Sequence, residues 1–232
     1  MRQALLLAAI GVVLFSAPVR AEEAVRIGSA LAILDKPARA SGSIILVPGG
    51  DGVLGITPEG GIARLKGNQL VRTRRSYTAS GFATLTIDQG VDLGQAVQYM
   101  RAIASPVVVV GTSRGTLRAA SFIAGASGAG RPNGLVLTSG FYGAGQSVQS
   151  AVGSPDRLPP TLIVHHRKDE CRFTRAEDVA SMQQWAGSRV RVVWLDGGPG
   201  GEPACEARSY HGFAGIDGQV VAAVARFARS VR

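Results

Sequence analysis

Residues 106–116 read Pro-Val-Val-Val-Val-Gly-Thr-Ser-Arg-Gly-Thr, which places Ser113 between two glycines directly after a β-branched run. A serine hydroxyl can act as a nucleophile there, provided that a base takes its proton and the backbone lifts it clear of the sheet. The pattern alone decides little. In a chain with 31 glycines, Gly-x-Ser-x-Gly arises by chance about 0.3 times. Context weighs more: an apolar strand, a sharp turn, then the small-residue helix start Thr116-Leu117-Arg118-Ala119-Ala120. A nucleophile on a strained turn needs that order, with glycines where strand and helix approach. The amide of Arg114, at the helix start, would then face developing negative charge.

The proton must go to a base, and the chain holds three histidines. His165 and His166 end one apolar run, whereas His211 follows the last such run, in Ser209-Tyr210-His211-Gly212-Phe213. The elbow motif is followed along the chain by an acid and then by a histidine. His211 alone lies downstream of both the serine and a suitable acid. Asp169, a few residues past a strand end, is the expected acid, with Glu170 as its adjacent competitor. Asp196 is expected to cap a turn, and Asp88 lies upstream of Ser113. His165 is expected to be structural and His166 to form a pocket wall.

These residues need a frame. Continuous apolar runs at residues 43–47, 83–87, 107–110, 135–137, 161–164 and 190–195 read as strands buried on both faces. Helical spacing occupies 68–80, 92–104, 116–124, 174–186 and 218–231 between and after them. Alternation of this kind predicts an α/β fold with a mostly parallel sheet and helices on both faces. Residues 25–34 are expected to add one or two antiparallel edge strands. Ligands of such sheets bind beyond the strands' carboxyl ends. The chemistry-bearing exits are therefore Pro48-Gly49-Gly50-Asp51-Gly52, Gly111 to Gly115, His165 to Cys171, and the Gly197 to His211 loop.

The chain begins with a positive residue, an apolar run at 4–15 and small residues at 19 and 21. That reads as a signal peptide spanning 1–21, cut after Ala21, with export to the periplasm or beyond. It leaves 22–232 as a single domain large enough for a sizeable core. No later segment is long and apolar enough to span a bilayer. The formal net charge is +9, but the arginines are scattered. The cluster Arg72, Arg74 and Arg75 reads as a solvated basic surface, and no nucleic-acid module is visible. Two cysteines, Cys171 and Cys205, fit one disulfide in an oxidising compartment.

Taken together, Gly111 to Gly115, Asp169 and His211, each at a strand exit, resemble an α/β-hydrolase. The match runs over nearly all of the chain beyond residue 21, starting from Ser43-Ile44-Ile45-Leu46-Val47. The resemblance implies the α/β-hydrolase fold, a Ser113, Asp169 and His211 triad, and hydrolysis through an acyl-enzyme. It implies an oxyanion hole from the amides of Arg114 and Gly50. The glycine turn departs from the His-Gly-Gly-Gly form, since Pro48 stands at the histidine position and Asp51 interrupts the glycines. Gly49, Asp51 and His166 are candidate substrate contacts. A Cys171–Cys205 bond would tie the acid loop to the histidine loop.

No cofactor or metal is expected. The stretch 138–160 is too short for a folded lid, so the expected substrate is a small molecule or other accessible acyl ester. Amidase, peptidase and thioesterase chemistry use the same three residues, and a non-catalytic binding scaffold is the remaining alternative. Two rivals rest on other patterns. Gly50 to Gly55 spells Gly-x-Gly-x-x-Gly, but Pro58 and Gly60-Gly61 break the helix that a dinucleotide site needs. His165, His166, Asp169 and Cys171 are metal-ligand types from one local turn, without a second half.

Overall fold

The computed structural model describes residues 22–231. The expected signal peptide therefore lies outside the described residues. Eight strands form one sheet: β1 (Glu23–Ile27), β2 (Ala30–Asp35), β3 (Ser43–Val47), β4 (Ala83–Ile87), β5 (Val107–Thr112), β6 (Gly134–Thr138), β7 (Thr161–His166) and β8 (Val190–Leu195). Their order is β1-β2-β4-β3-β5-β6-β7-β8. The first two strands are antiparallel additions at one edge, and the other six run parallel.

The continuous apolar runs have a direct cause. Ile45, Val47, Val107, Val109, Leu135, Leu137 and Ile163 point to one face. Ile44, Leu46, Val108, Val110, Val136, Leu162 and Val164 point to the other. Side chains alternate along a strand, so both parities must be apolar when both faces are covered. The first face carries α2 (Leu93–Ile103), α3 (Arg114–Gly125), the short α4 (Val148–Val152) and α5 (Val179–Ala186). The second carries α1 (Gln69–Ala79) and α6 (Asp217–Ser230). Each fully buried Val, Leu or Ile contributes roughly 1.5–3 kcal/mol of transfer free energy, which holds the two layers on the sheet.

The chain winds outward in opposite directions from β3 and β5, which are neighbours. Their carboxyl ends open the crevice where an open α/β sheet offers its binding site. The turn Gly49-Gly50 follows β3, and Ser113 follows β5.

One expected helix starts late. Residues 174–178 are not α-helical: Ala176–Asp178 is a single 3-10 turn and α5 begins at Val179. Thr174 is held in the acid loop instead, where its amide bonds to the carbonyl of Cys171. The brief α4, opened by a capping box at Ser147, has no counterpart among the expected helices.

Candidate active site

Ser113 sits at the amino end of α3 with φ 52° and ψ −126°. A non-glycine residue held there costs about 1–3 kcal/mol, a strain that persists only where surroundings enforce it. Here they do. The Ser113 amide donates to the carbonyl of Thr138 at 3.0 Å, and the Ser113 carbonyl accepts from Oγ1 of Thr116 at 2.6 Å. The serine hydroxyl makes no capping bond.

The flanking glycines allow the close approach. A side chain on Gly115 would strike the carbonyl oxygens of Val47 and Pro48, and one on Gly111 would meet the Gly115 carbonyl oxygen at 2.7 Å. Gly49 is equally tight, since its side chain would begin 2.9 Å from Cβ of Ser113. The β3 turn is thus pressed against the elbow.

Asp169 lies three residues past β7 and is buried. Its Oδ1 accepts the amide of Cys171 at 3.0 Å. Its Oδ2 faces Nδ1 of His211 at 3.1 Å, Oγ1 of Thr174 at 3.1 Å and Nε2 of His165 at 3.3 Å. Burial pushes this carboxyl up, but hydrogen bonds from His165 and His211, with their electrostatic pull, hold it at about 2.

Oγ1 of Thr174 also lies 2.9 Å from Nδ1 of His211. The hydroxyl has one proton, which goes to the carboxylate, so it accepts from the ring. Nδ1 thus faces two acceptors and carries the ring proton, which leaves Nε2 as the basic nitrogen.

The backbone of His211 is fixed from three sides. Its carbonyl accepts from Oγ of Ser139 at 2.7 Å, and its amide donates to Oγ of Ser209 at 3.2 Å. The Arg72 side chain donates to the carbonyls of Ala207 at 3.1 Å and Gly212 at 2.6 Å. It also forms a two-pronged ion pair with Asp217, both arms at 2.8 Å. Arg72 is therefore a half-buried hub and not simply a solvated surface residue, whereas Arg74 and Arg75 both pair with Glu22 and Arg75 is exposed, as a solvated basic surface requires. A disulfide joins Cys171 to Cys205 across 34 positions and links the acid loop to the histidine loop.

Ser113 and His211 line one cleft of about 280 Å³, together with Gly50, Arg114, Phe141 and Phe173. As first residue of α3, Arg114 has an amide with no intrahelical acceptor. Only the short 139–160 stretch separates β6 from β7, so no folded lid covers the cleft from there.

Three expected substrate contacts do not line it. Gly49 is buried beneath the elbow. Asp51 is turned outward, ion-paired to Arg64 at 2.7 Å. His166 is fully buried. Its ring stacks on Tyr210 at 4.6 Å, its Nε2 lies 2.9 Å from the carbonyl of Gly197, and its Nδ1 accepts from the Lys168 amide. Both ring nitrogens are thus spent on holding the chain.

Glu170 is exposed, Asp196 caps the Gly197 amide at 2.8 Å, and Asp88 anchors the amides of Leu54 and Ile56. The Gly50 to Gly55 turn runs into an isolated bridge, Ile56 with Ile62, and opens no helix. Among the described residues, no group of three or more His, Cys, Asp or Glu is arranged to hold a metal ion. No helix among them is long and apolar enough to cross a membrane.

No protein-family model and no curated protein matches the sequence. Solved structures do match. The chain is similar to the esterase domain of a Rhodothermus marinus protein, at 15% identity and a TM-score of 0.62, covering 91% of this chain and 98% of that one. It is similar to a lidless α/β serine hydrolase from Xanthomonas campestris at 16% identity and a TM-score of 0.59, covering 91% and 98%. A dienelactone hydrolase from Anabaena variabilis matches at 15% identity and a TM-score of 0.60, covering 91% and 99%.

Proposed function

On the α/β-hydrolase fold that the chain adopts, we propose a serine hydrolase that cleaves carboxylic esters through a Ser113, His211 and Asp169 triad. One observation carries this reading: a serine strained at φ 52° shares a cleft with a histidine whose Nδ1 is committed to a buried carboxylate.

In the first half-reaction, Oγ of Ser113 bonds to the acyl carbon and its proton passes to Nε2 of His211. The carbonyl electron pair moves onto oxygen, where the amides of Arg114 and Gly50 receive it. Collapse expels the alcohol oxygen, which leaves with the proton from His211. Water then attacks the acyl carbon and gives its proton to His211, which returns it to Ser113 as the acid departs. One ester and one water become one acid and one alcohol, and the enzyme is restored. Asp169 stays ionised throughout and stabilises the imidazolium.

The open cleft favours accessible acyl esters. The disulfide favours export, because such bonds persist in oxidising compartments, in line with a signal peptide at residues 1–21. A panel of aryl esters, anilides and thioesters, run against wild type and Ser113→Ala, tests the reading. Ester hydrolysis that falls about 10³-fold or more in the variant supports it. Activity retained in Ser113→Ala overturns it, and inert wild type leaves a binding scaffold.

A further inference from the structure

A second cavity of about 380 Å³ adjoins the cleft and shares Arg114, Phe141 and Phe173 with it. Its outer wall adds Arg172 and Arg175, with Glu177 and Asp178 as its acids. Arg175 pairs with Glu177 at 3.3 Å, and Asp178 lies against Gly143. Among the described residues, neither Arg114 nor Arg172 has a carboxylate at ion-pair distance.

The aromatic surface is also unusual. Phe173 is 46% exposed, one of two large apolar side chains left in solvent among the described residues. It stacks on Phe141 with ring centroids 5.9 Å apart and planes inclined by 13°, and the Arg172 guanidinium lies 4.6 Å from its centroid. Phe173 is fixed from both sides in sequence, since Cys171 is in the disulfide and Thr174 is bonded to Asp169. An apolar wall and a cation without a carboxylate partner are therefore held on the same disulfide-anchored loop as Asp169.

Building on the hydrolase reading above, we propose that this second cavity is a substrate subsite for a carboxylate-bearing arm. An ester seated at Ser113 lays one arm across Phe141 and Phe173 and presents its carboxylate to Arg114 and Arg172. Guanidinium groups suit this task because their planar donors match a carboxylate's two oxygens. The partly covered apolar wall lowers the competition from water.

The test uses two matched substrate pairs with the disulfide-intact protein. The first pair carries the charge on the acyl arm: 4-nitrophenyl hydrogen glutarate against methyl 4-nitrophenyl glutarate. The second carries it on the alcohol arm: 4-carboxyphenyl butyrate against its methyl ester. The wild-type preference for the anionic member, as a ratio of kcat/KM, is expected to reach about tenfold in one pair. That ratio should fall about tenfold in Arg172→Gln, return only in part in Arg172→Lys, which keeps the charge but not the forked donors, and shrink as salt is raised.

Dividing each ratio by that of the two esters' hydroxide-catalysed rates cancels differences in leaving-group chemistry. Wild type that favours neither anionic substrate overturns the subsite, as does Arg172→Gln lowering both members of each pair alike. Failure of wild type to hydrolyse any of the four esters, or 4-nitrophenyl butyrate, overturns the hydrolase reading, and the subsite with it. Hydrolysis of neutral esters without anionic preference sinks the subsite alone.

Discussion

The hydroxyl of Thr174 stands 2.9 Å from Nδ1 of His211, on the same side of the ring as the Asp169 carboxylate. The Asp169 carboxylate and the His211 ring are thus bridged by a neutral oxygen that donates to one and accepts from the other. Thr174→Val keeps the shape and removes both bonds. It is expected to lower kcat about tenfold with little change in KM, and Thr174→Ser should restore most of the loss. A fall in stability with kcat unchanged would reduce Thr174 to a packing residue.

Arg72 makes a comparable connection over a much longer span. It binds α1 to the histidine loop and to the start of α6, 145 positions away in sequence. Arg72→Met leaves the carbonyls of Ala207 and Gly212 without their donor. A loss of about 2–3 kcal/mol in denaturant unfolding is expected, together with reduced kcat. Arg72→Lys should rescue little, because a single ammonium cannot reproduce the forked geometry.

The Cys171–Cys205 bond closes a loop with a sequence separation of 34. In the chain-entropy account a loop of that length contributes roughly 3–4 kcal/mol. The double variant Cys171→Ala, Cys205→Ala should lose stability on that scale. It should also lose kcat at temperatures where it remains folded, since the bond joins the two loops that carry Asp169 and His211. Full kcat in the folded variant would restrict the disulfide to a stabilising role.

The Asp169 carboxyl, at about 2 against an ordinary 3.8, binds its proton more weakly in the folded state than in the unfolded one. Its contribution to stability, about 2 kcal/mol, is therefore present above about pH 4 and lost as the pH falls through about 2. Denaturant midpoints across that window should drop for wild type. Asp169→Asn should lack this part of the drop, and its kcat at neutral pH should be lower by about 10³–10⁴-fold.

What the sequence discloses follows from how local each signal is. The six parallel strands are legible because burial on both faces makes each a continuous apolar run, such as Val107 to Val110. Ser113 is legible because its glycines, strand and helix are contiguous. Asp169 and His211 are reached through strand exits and chain order, and the structure brings them into contact. Thr174 is not legible: its role depends on His211, 37 positions away, and helical spacing instead suggested that it begins α5. Arg72 looks like one of three surface arginines until the histidine loop folds over it. His166 reads as a pocket wall from its place at a strand end, but its ring turns to Tyr210 and Gly197.

Intact-mass analysis after exposure to a fluorophosphonate, followed by peptide mapping, asks directly whether His211 activates Ser113. Such a reagent phosphonylates a serine whose proton is removed by a neighbouring base far faster than an ordinary hydroxyl. One adduct per chain, located at Ser113 and abolished in His211→Ala, is the predicted result. An unmodified folded wild-type protein, or an adduct at Ser113 that forms equally fast without His211, would rule out Ser113 as a nucleophile activated by His211.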